Sequence, residues 1–244
     1  GFSPRELERY GLVAARQSGG GYYDRFRQRL IFPIADQTGQ VLGFGGRILG
    51  EGNPKYLNSP ETRFFDKGKL IYGLHLARPA IQEKQQAVIV EGYMDALMCQ
   101  QNGITNVVAS MGTALTTAQI QLLLRYGPEI LMAYDSDLAG QNATLRAIEL
   151  IRGLGGRVRV VSLSQNKDPD ELIKKHGAGY FQGLLNEAQD FLAYKLQKQL
   201  SKGAPRTAEE KMLVLAEFWE DLRQAGSELE RQEYCERLSI ALQV

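Results

Sequence analysis

Hydrophobic and polar positions change rhythm twice along the chain. In its middle third, short apolar runs bounded by turn residues alternate with stretches of helical period. Ala87-Val88-Ile89-Val90 is one such run, and its β-branched residues predict a buried strand of a parallel sheet. It stops at Glu91, Gly92 permits a tight turn, and Tyr93 to Gln101 has helix-forming composition before Gly103 supplies a stop. The alternation recurs in strands 104–109, 129–134 and 157–163. Between them come a helix from the capping box Thr116/Gln119 to Tyr126, and another over roughly 139–152. Lys167-Asp168-Pro169-Asp170-Glu171 then opens a short helix. Such repetition with short connections calls for an α/β unit, a mostly parallel sheet flanked by helices.

The rhythm before this unit is mixed. Ser3-Pro4 and Glu6 start a helix that ends near Gly11, and Gly19-Gly20-Gly21 is a turn. Residues 22–34 read as a strand in which Arg25, Arg27 and Arg29 stand at period two. All three would leave one face, an arrangement suited to a row of phosphates or else to a solvated surface with acidic partners. Ile34 to Arg47 reads as a hairpin about Asp36-Gln37-Thr38-Gly39, and its second arm, with Gly43, Gly45 and Gly46, invites close approach by a backbone or a ligand. Pro54-Lys55-Tyr56-Leu57-Asn58-Ser59-Pro60-Glu61-Thr62 is an irregular polar loop, followed by Phe64-Phe65-Asp66-Lys67-Gly68-Lys69; interleaved aromatics and cations suit nucleotides. After Gly179 only the helical period remains. Helices are expected over 180–200, 207–224 and 227–243, the last two opened by the capping boxes Thr207/Glu210 and Ser227/Glu230. The organisation predicted is a basic α/β subdomain over 1–78, the parallel α/β unit over 79–179 and a helical bundle over 180–244. His176 is expected only to end a helix.

Composition adds little except in its distribution. The chain is 43% hydrophobic and 23% charged, without a membrane-length apolar run or a signal-peptide pattern. It begins with Gly1 rather than Met, as a piece cut from a longer protein would. Cys99 and Cys235 have no Cys or His at metal-ligand spacing, so two buried thiols are expected and a zinc site is excluded. Residues 1–78 hold 12 Lys and Arg against 7 Asp and Glu, whereas 79–180 hold 9 against 10. A basic front beside an acidic centre fits a polyanion held near bound cations.

The acidic centre has a pattern of its own. Glu91, then Asp135 with Asp137, then Asp168 with Asp170 follow three successive strands, and Asp95 lies one helical turn past Glu91. Parallel strands bring their carboxyl ends to one edge. So many carboxylates in one place need counter-charge, and Mg²⁺ or Mn²⁺ suits all-oxygen donors. The competing readings are local: Asp168 before Pro169 is an ideal helix N-cap, Asp170 and Glu171 complement a helix dipole, and Asp137 caps the helix after it.

Glu91-Gly-Tyr-Met-Asp95, Asp135-Ser-Asp137 and Lys167-Asp-Pro-Asp-Glu171 resemble the toprim domain of primases, topoisomerases and some nucleases. Asp24-Arg-Phe-Arg-Gln-Arg-Leu-Ile-Phe-Pro-Ile34 and Pro54-Lys-Tyr-Leu-Asn-Ser-Pro-Glu-Thr62 narrow the resemblance to the catalytic core of bacterial replicative DNA primases. Ser136 departs from the Gly usual between the two aspartates. The resemblance implies a central toprim fold and synthesis of short RNA primers from NTPs on single-stranded DNA. It implies two or more Mg²⁺ or Mn²⁺ ions on Asp135, Asp137, Asp168 and Asp170, with Glu91 metal-linked and assisting proton transfer. Arg25, Arg47, Lys55, Asn58 and Lys67 would bind template or nucleotide, joined by Arg27, Arg29 and Tyr56 from the pattern above. It further implies a cytoplasmic location at the replication fork, a monomeric core, and a single-stranded DNA-binding protein as partner. Zinc and the replicative helicase would engage domains that are not in this chain. A topoisomerase would need a nucleophilic Tyr on another large domain, and a nuclease would lack the basic front. A non-catalytic nucleic-acid clamp is the rival of another class.

Overall fold

Ser3 starts the first helix, α1 (Pro4–Arg9), through a capping box in which the Ser3 N–H donates to Glu6 Oε2 at 2.7 Å and the Glu6 N–H donates to Ser3 Oγ at 3.3 Å. The computed structural model describes residues 1–112, 114–134, 138–163, 168–201, 203–223, 225 and 227–244. They form two units, Gly1–Ala188 and Gln189–Val244.

In the first unit, β1 (Val13–Ala15) and β2 (Tyr22–Asp24) form a short antiparallel ribbon. β3 (Arg29–Ala35), β4 (Val41–Ile48) and β5 (Tyr56–Asn58) form a second antiparallel sheet in that order. The turn between β3 and β4 is the expected one. Asp36 Oδ1 accepts from the N–H groups of Thr38 at 2.8 Å and Gln40 at 3.0 Å, and the Thr38 hydroxyl bond leads in holding the Asp36 carboxyl below its ordinary range. The polar loop predicted over 54–62 is partly strand, because Tyr56, Leu57 and Asn58 pair with Arg47, Gly46 and Gly45.

Helix α2 (Leu74–Lys84) has no counterpart among the expected elements and runs across the 78/79 boundary. Pro79 lies inside it, where proline ordinarily ends a helix. Leu74, Ala77 and Ile81 bury one stripe of α2 and offset that local cost.

The alternating stretch follows as β6 (Gln86–Val90), α3 (Tyr93–Gln101), β7 (Val107–Ala109), α4 (Thr117–Leu124), β8 (Glu129–Met132), α5 (Leu138–Gly153), β9 (Arg157–Val160), α6 (Pro169–His176) and α7 (Ala178–Asn186). These strands lie in the order β9-β8-β6-β7, every pair parallel. Ala87, Val88, Ile89 and Val90 are fully buried, as a central strand covered on both faces must be. Thr116 and Gln119 form the predicted capping box of α4. The Gln119 amide also donates to the carbonyls of Lys67 at 2.9 Å and Leu70 at 2.7 Å, tying the loop before α2 to this helix.

The second unit holds α8 (Phe191–Leu200), α9 (Ala208–Arg223) and α10 (Glu228–Leu242), with Phe218 at its centre. The single helix expected over 180–200 is therefore two. Asp190 accepts from the Ala193 N–H at 2.8 Å and starts a new helix there. Ser227 caps α10 as expected. Only one of the two thiols is buried. Cys99 lies in the core, which pushes its thiol pKa well up, whereas Cys235 is exposed on α10, out of phase with the buried Tyr234, Leu238 and Leu242. His176 closes α6 and packs its ring 4.8 Å from Tyr180.

Candidate functional site

A cleft of about 660 Å³ lies within the first unit. One part of its lining is cationic and polar: Arg47 at the end of β4, Lys55 just before β5, and Tyr56 and Asn58 on β5. Another part is acidic: Glu91 at the tip of β6, Asp95 in the first turn of α3, and Asp168, Asp170 and Glu171 where α6 begins. Lys174, one turn further along α6, also lines it.

Antiparallel register fixes the cationic part. Arg47 pairs with Tyr56, and its guanidinium carbon sits 5.9 Å from the Tyr56 ring centre. Asn58 is held by the first residue of α3, because the Tyr93 hydroxyl donates to Asn58 Oδ1 at 2.5 Å. Tyr93 is buried against Phe32, at 5.3 Å between ring centres, and Tyr72, at 4.7 Å. That position exists because of Gly45: a Cβ there would meet the Tyr93 ring at 2.8 Å. Gly43 makes the same room for Phe65, whose ring a Cβ there would strike. The close approach that the glycines of β4 foretold is thus made by aromatic side chains, which carry the backbone of β4 and β5 against the parallel unit.

The acidic part is organised by Asp95. Its Oδ2 accepts from the Gly92 N–H at 3.1 Å and its Oδ1 from the Asp170 N–H at 3.2 Å, which joins the starts of α3 and α6. Asp168 is the N-cap of α6 and accepts from the Glu171 N–H at 2.7 Å. The local reading of Asp168 is therefore correct, and the residue also lines the cleft. Asp170 is 8% exposed; Oδ2 accepts from Lys174 Nζ at 2.6 Å, while Oδ1 is buried without a hydrogen-bond partner among the described residues. That bond raises the Lys174 ammonium pKa. Burial raises the Tyr56 hydroxyl pKa, Arg47 pulls it back, and Asp95, Asp170 and Asp168 push it further up. The two parts of the cleft thus feel one another's charge.

Not every candidate residue is in the cleft. The chain bends after β2 and Gln28 adopts a left-handed conformation at φ 51°, so Arg25, Arg27 and Arg29 do not form one face of a strand. Arg25 donates to the Asn58 carbonyl at 3.4 Å, and Arg27 lies 5.0 Å over the Tyr23 ring. Arg29 donates to the carbonyls of Gly46 at 3.0 Å and Pro54 at 2.8 Å, holding the segment that carries Lys55. Lys67 lies outside the cleft lining, its carbonyl bonded to Gln119. Asp135 and Asp137 lie outside the described residues. Lys174 and Tyr93 were missed, although a Lys four residues after Asp170 on a helix is the pattern of an ion pair.

Among the described residues, no three Asp, Glu, His or Cys side chains stand close enough to hold one metal ion. The donors present nonetheless fit a hard divalent cation. Glu91, Asp168 and Asp170 offer only oxygen to one cleft, and Asp170 keeps a buried oxygen without a donor among the described residues.

Residues 1–78 match the family model for the N-terminal domain of the DNA primase catalytic core, and residues 88–173 match a Toprim-like model. A DNA primase of Clostridium acetobutylicum is 45% identical over 199 residues, 81% of this chain and 33% of its own length. The crystal structure of a DNA primase domain from Pseudomonas aeruginosa is 37% identical and superposes with a TM-score of 0.85, covering 98% of this chain and 76% of that one. The chain belongs to the DNA primase family. A DnaG primase catalytic domain bound to single-stranded DNA is similarly close, at 35% identity and TM-score 0.86 over 97% of this chain and 78% of that one. The chain spans about a third of the length of the curated primase it matches.

Within this primase fold, substitution separates the N-cap of Asp168 from the metal-ligand role proposed for it below. Asn caps a helix about as well as Asp. Asp168→Asn is therefore expected to keep the melting temperature while weakening Mn²⁺ binding at least about tenfold, the equivalent of about 1.4 kcal/mol. Titration of Mn²⁺ by electron paramagnetic resonance measures the second effect. An unchanged affinity would leave Asp168 a cap alone.

Proposed function

We propose that this chain is the nucleotidyl-transfer core of a bacterial primase, which joins ribonucleotides into a short primer on a single-stranded DNA template. The observation that carries the reading is the single cleft lined by Arg47, Lys55 and Asn58 together with Glu91, Asp168 and Asp170. Arg47 presents a planar fork of donors suited to phosphate oxygens, and Lys55 a point charge on a mobile stem. Asn58, fixed by the Tyr93 hydroxyl, keeps its amide N–H₂ for a base, ribose or phosphate oxygen. Asp168 and Asp170, with Asp135 and Asp137, are the residues that would hold Mg²⁺ or Mn²⁺. Such an ion, when bound, neutralises triphosphate charge and favours loss of the primer 3′-hydroxyl proton. Glu91, at the tip of the interior strand β6, would accept that proton. Asp95 orients the carboxylates by joining the two helix starts.

The partners follow from that chemistry: a DNA template, NTPs and the growing RNA strand. A single-stranded DNA-binding protein and a replicative helicase would meet the longer protein at the replication fork. None of the described helices is long and apolar enough to cross a membrane.

Incorporation of labelled NTP on a single-stranded template, dependent on Mg²⁺, tests the reading. Template binding without incorporation in the longer protein would favour a clamp instead. Arg47→Ala and Lys55→Ala are each expected to weaken binding and to lower the slope of log affinity against log salt by about 0.7, the value for one phosphate contact on a single strand. Unchanged slopes in both variants would place the polyanion elsewhere.

A further inference from the structure

We infer that Lys174 is a built-in counter-cation for Asp170, occupying the carboxylate in the metal-free chain and giving it up when a divalent ion arrives. The inference rests on the metal reading above and deepens it. Asp170 is almost wholly buried, and its side chain is 11% exposed against 55% for that of Lys174. A buried carboxylate needs a positive partner, and Lys174 supplies one to Asp170 at 2.6 Å. The pair is one-sided. Lys174 holds Oδ2, and Oδ1 stays buried without a donor among the described residues. The oxygen that a divalent ion would take from the ammonium is therefore Oδ2. Four residues along one helix suffice for the contact, while the long, exposed lysine stem lets the ammonium swing away. Lys174 is thus a positioning residue. It keeps the Asp170 carboxylate oriented in the empty site and makes metal loading competitive.

The test is Mn²⁺ affinity, read from the free-ion electron paramagnetic resonance signal, with a metal-free thermal melt on each variant. Lys174→Met should bind Mn²⁺ at least about fivefold tighter than the parent while melting lower without metal, because Asp170 loses its partner. Lys174→Arg should stay within about twofold of the parent. Lys175→Ala removes the same charge from the next, exposed position and should also stay within about twofold. An equal or weaker affinity in Lys174→Met, or an equal gain in Lys175→Ala, would overturn the role of Lys174. Asp170→Asn distinguishes the two levels. It should weaken Mn²⁺ at least about tenfold. Unchanged binding in that variant would instead remove Asp170 from the metal site and the inference with it.

Discussion

Glu91→Ala is expected to lower primer synthesis at least about a hundredfold, roughly 2.7 kcal/mol in the barrier, without lowering the melting temperature. The first part follows from position. Glu91 directly follows the fully buried Val90 at the end of the interior strand β6 and lines the cleft shared with Arg47 and Asp170. A proton acceptor or ligand there has no substitute from a methyl group. The second part follows from charge. Glu91, Asp95, Asp168, Asp170 and Glu171 share one cleft, and removing one of several neighbouring like charges relieves repulsion when no metal is bound. Primer assays with Mg²⁺ and melts in chelator measure the two halves separately. A variant that melts several degrees lower yet keeps its activity would make Glu91 a structural residue.

Gly45→Val should damage stability and function together. Its Cβ would stand 2.8 Å from the Tyr93 ring and 2.9 Å from the hydroxyl, with further atoms beyond. Tyr93 is 3% exposed and confined by Phe32 and Tyr72, so the ring cannot give way without moving its neighbours. Overpacking of this kind costs about 1–3 kcal/mol. For a chain of this size that is a fall of roughly 2–12 °C in melting temperature. The displaced hydroxyl would release Asn58, and primer synthesis should fall at least about tenfold. Tyr93→Phe separates the effects, since it removes the hydrogen bond to Asn58 without the clash and should cost about 1 kcal/mol. If Gly45→Val melts with the parent, β4 is free to shift and the aromatic lock is not rigid.

The parts of the fold that were legible are those where burial and local preference agree. Ala87 to Val90 read as a buried strand of a parallel sheet and form one, and the helix start at Ser3 and the capping box at Thr116 are local chemistry that tertiary contacts did not override. Helix α2 was hidden because Pro79 argues against a helix, while the buried stripe of Leu74, Ala77 and Ile81 argues for it. Asp190 read as a polar position within one long helix, yet it caps a new one. In the site, parallel topology made it legible that Glu91, Asp168 and Asp170 would meet at one edge. The arginine row failed because period two implies one face only if the strand continues. The left-handed Gln28 breaks it in a way that a glutamine does not announce. The glycines of β4 announced a close approach but not its author, because Tyr93 and Phe65 come from distant sequence.

A crystal soaked with Mn²⁺ and an NTP tests the central claim most directly, through the anomalous signal of the metal. The account predicts Mn²⁺ against the carboxylates of Asp168 and Asp170 in the Glu91 cleft, with the triphosphate between them and Arg47 and Lys55. Metal and nucleotide bound away from this cleft, with Asp170 still paired to Lys174, would contradict it.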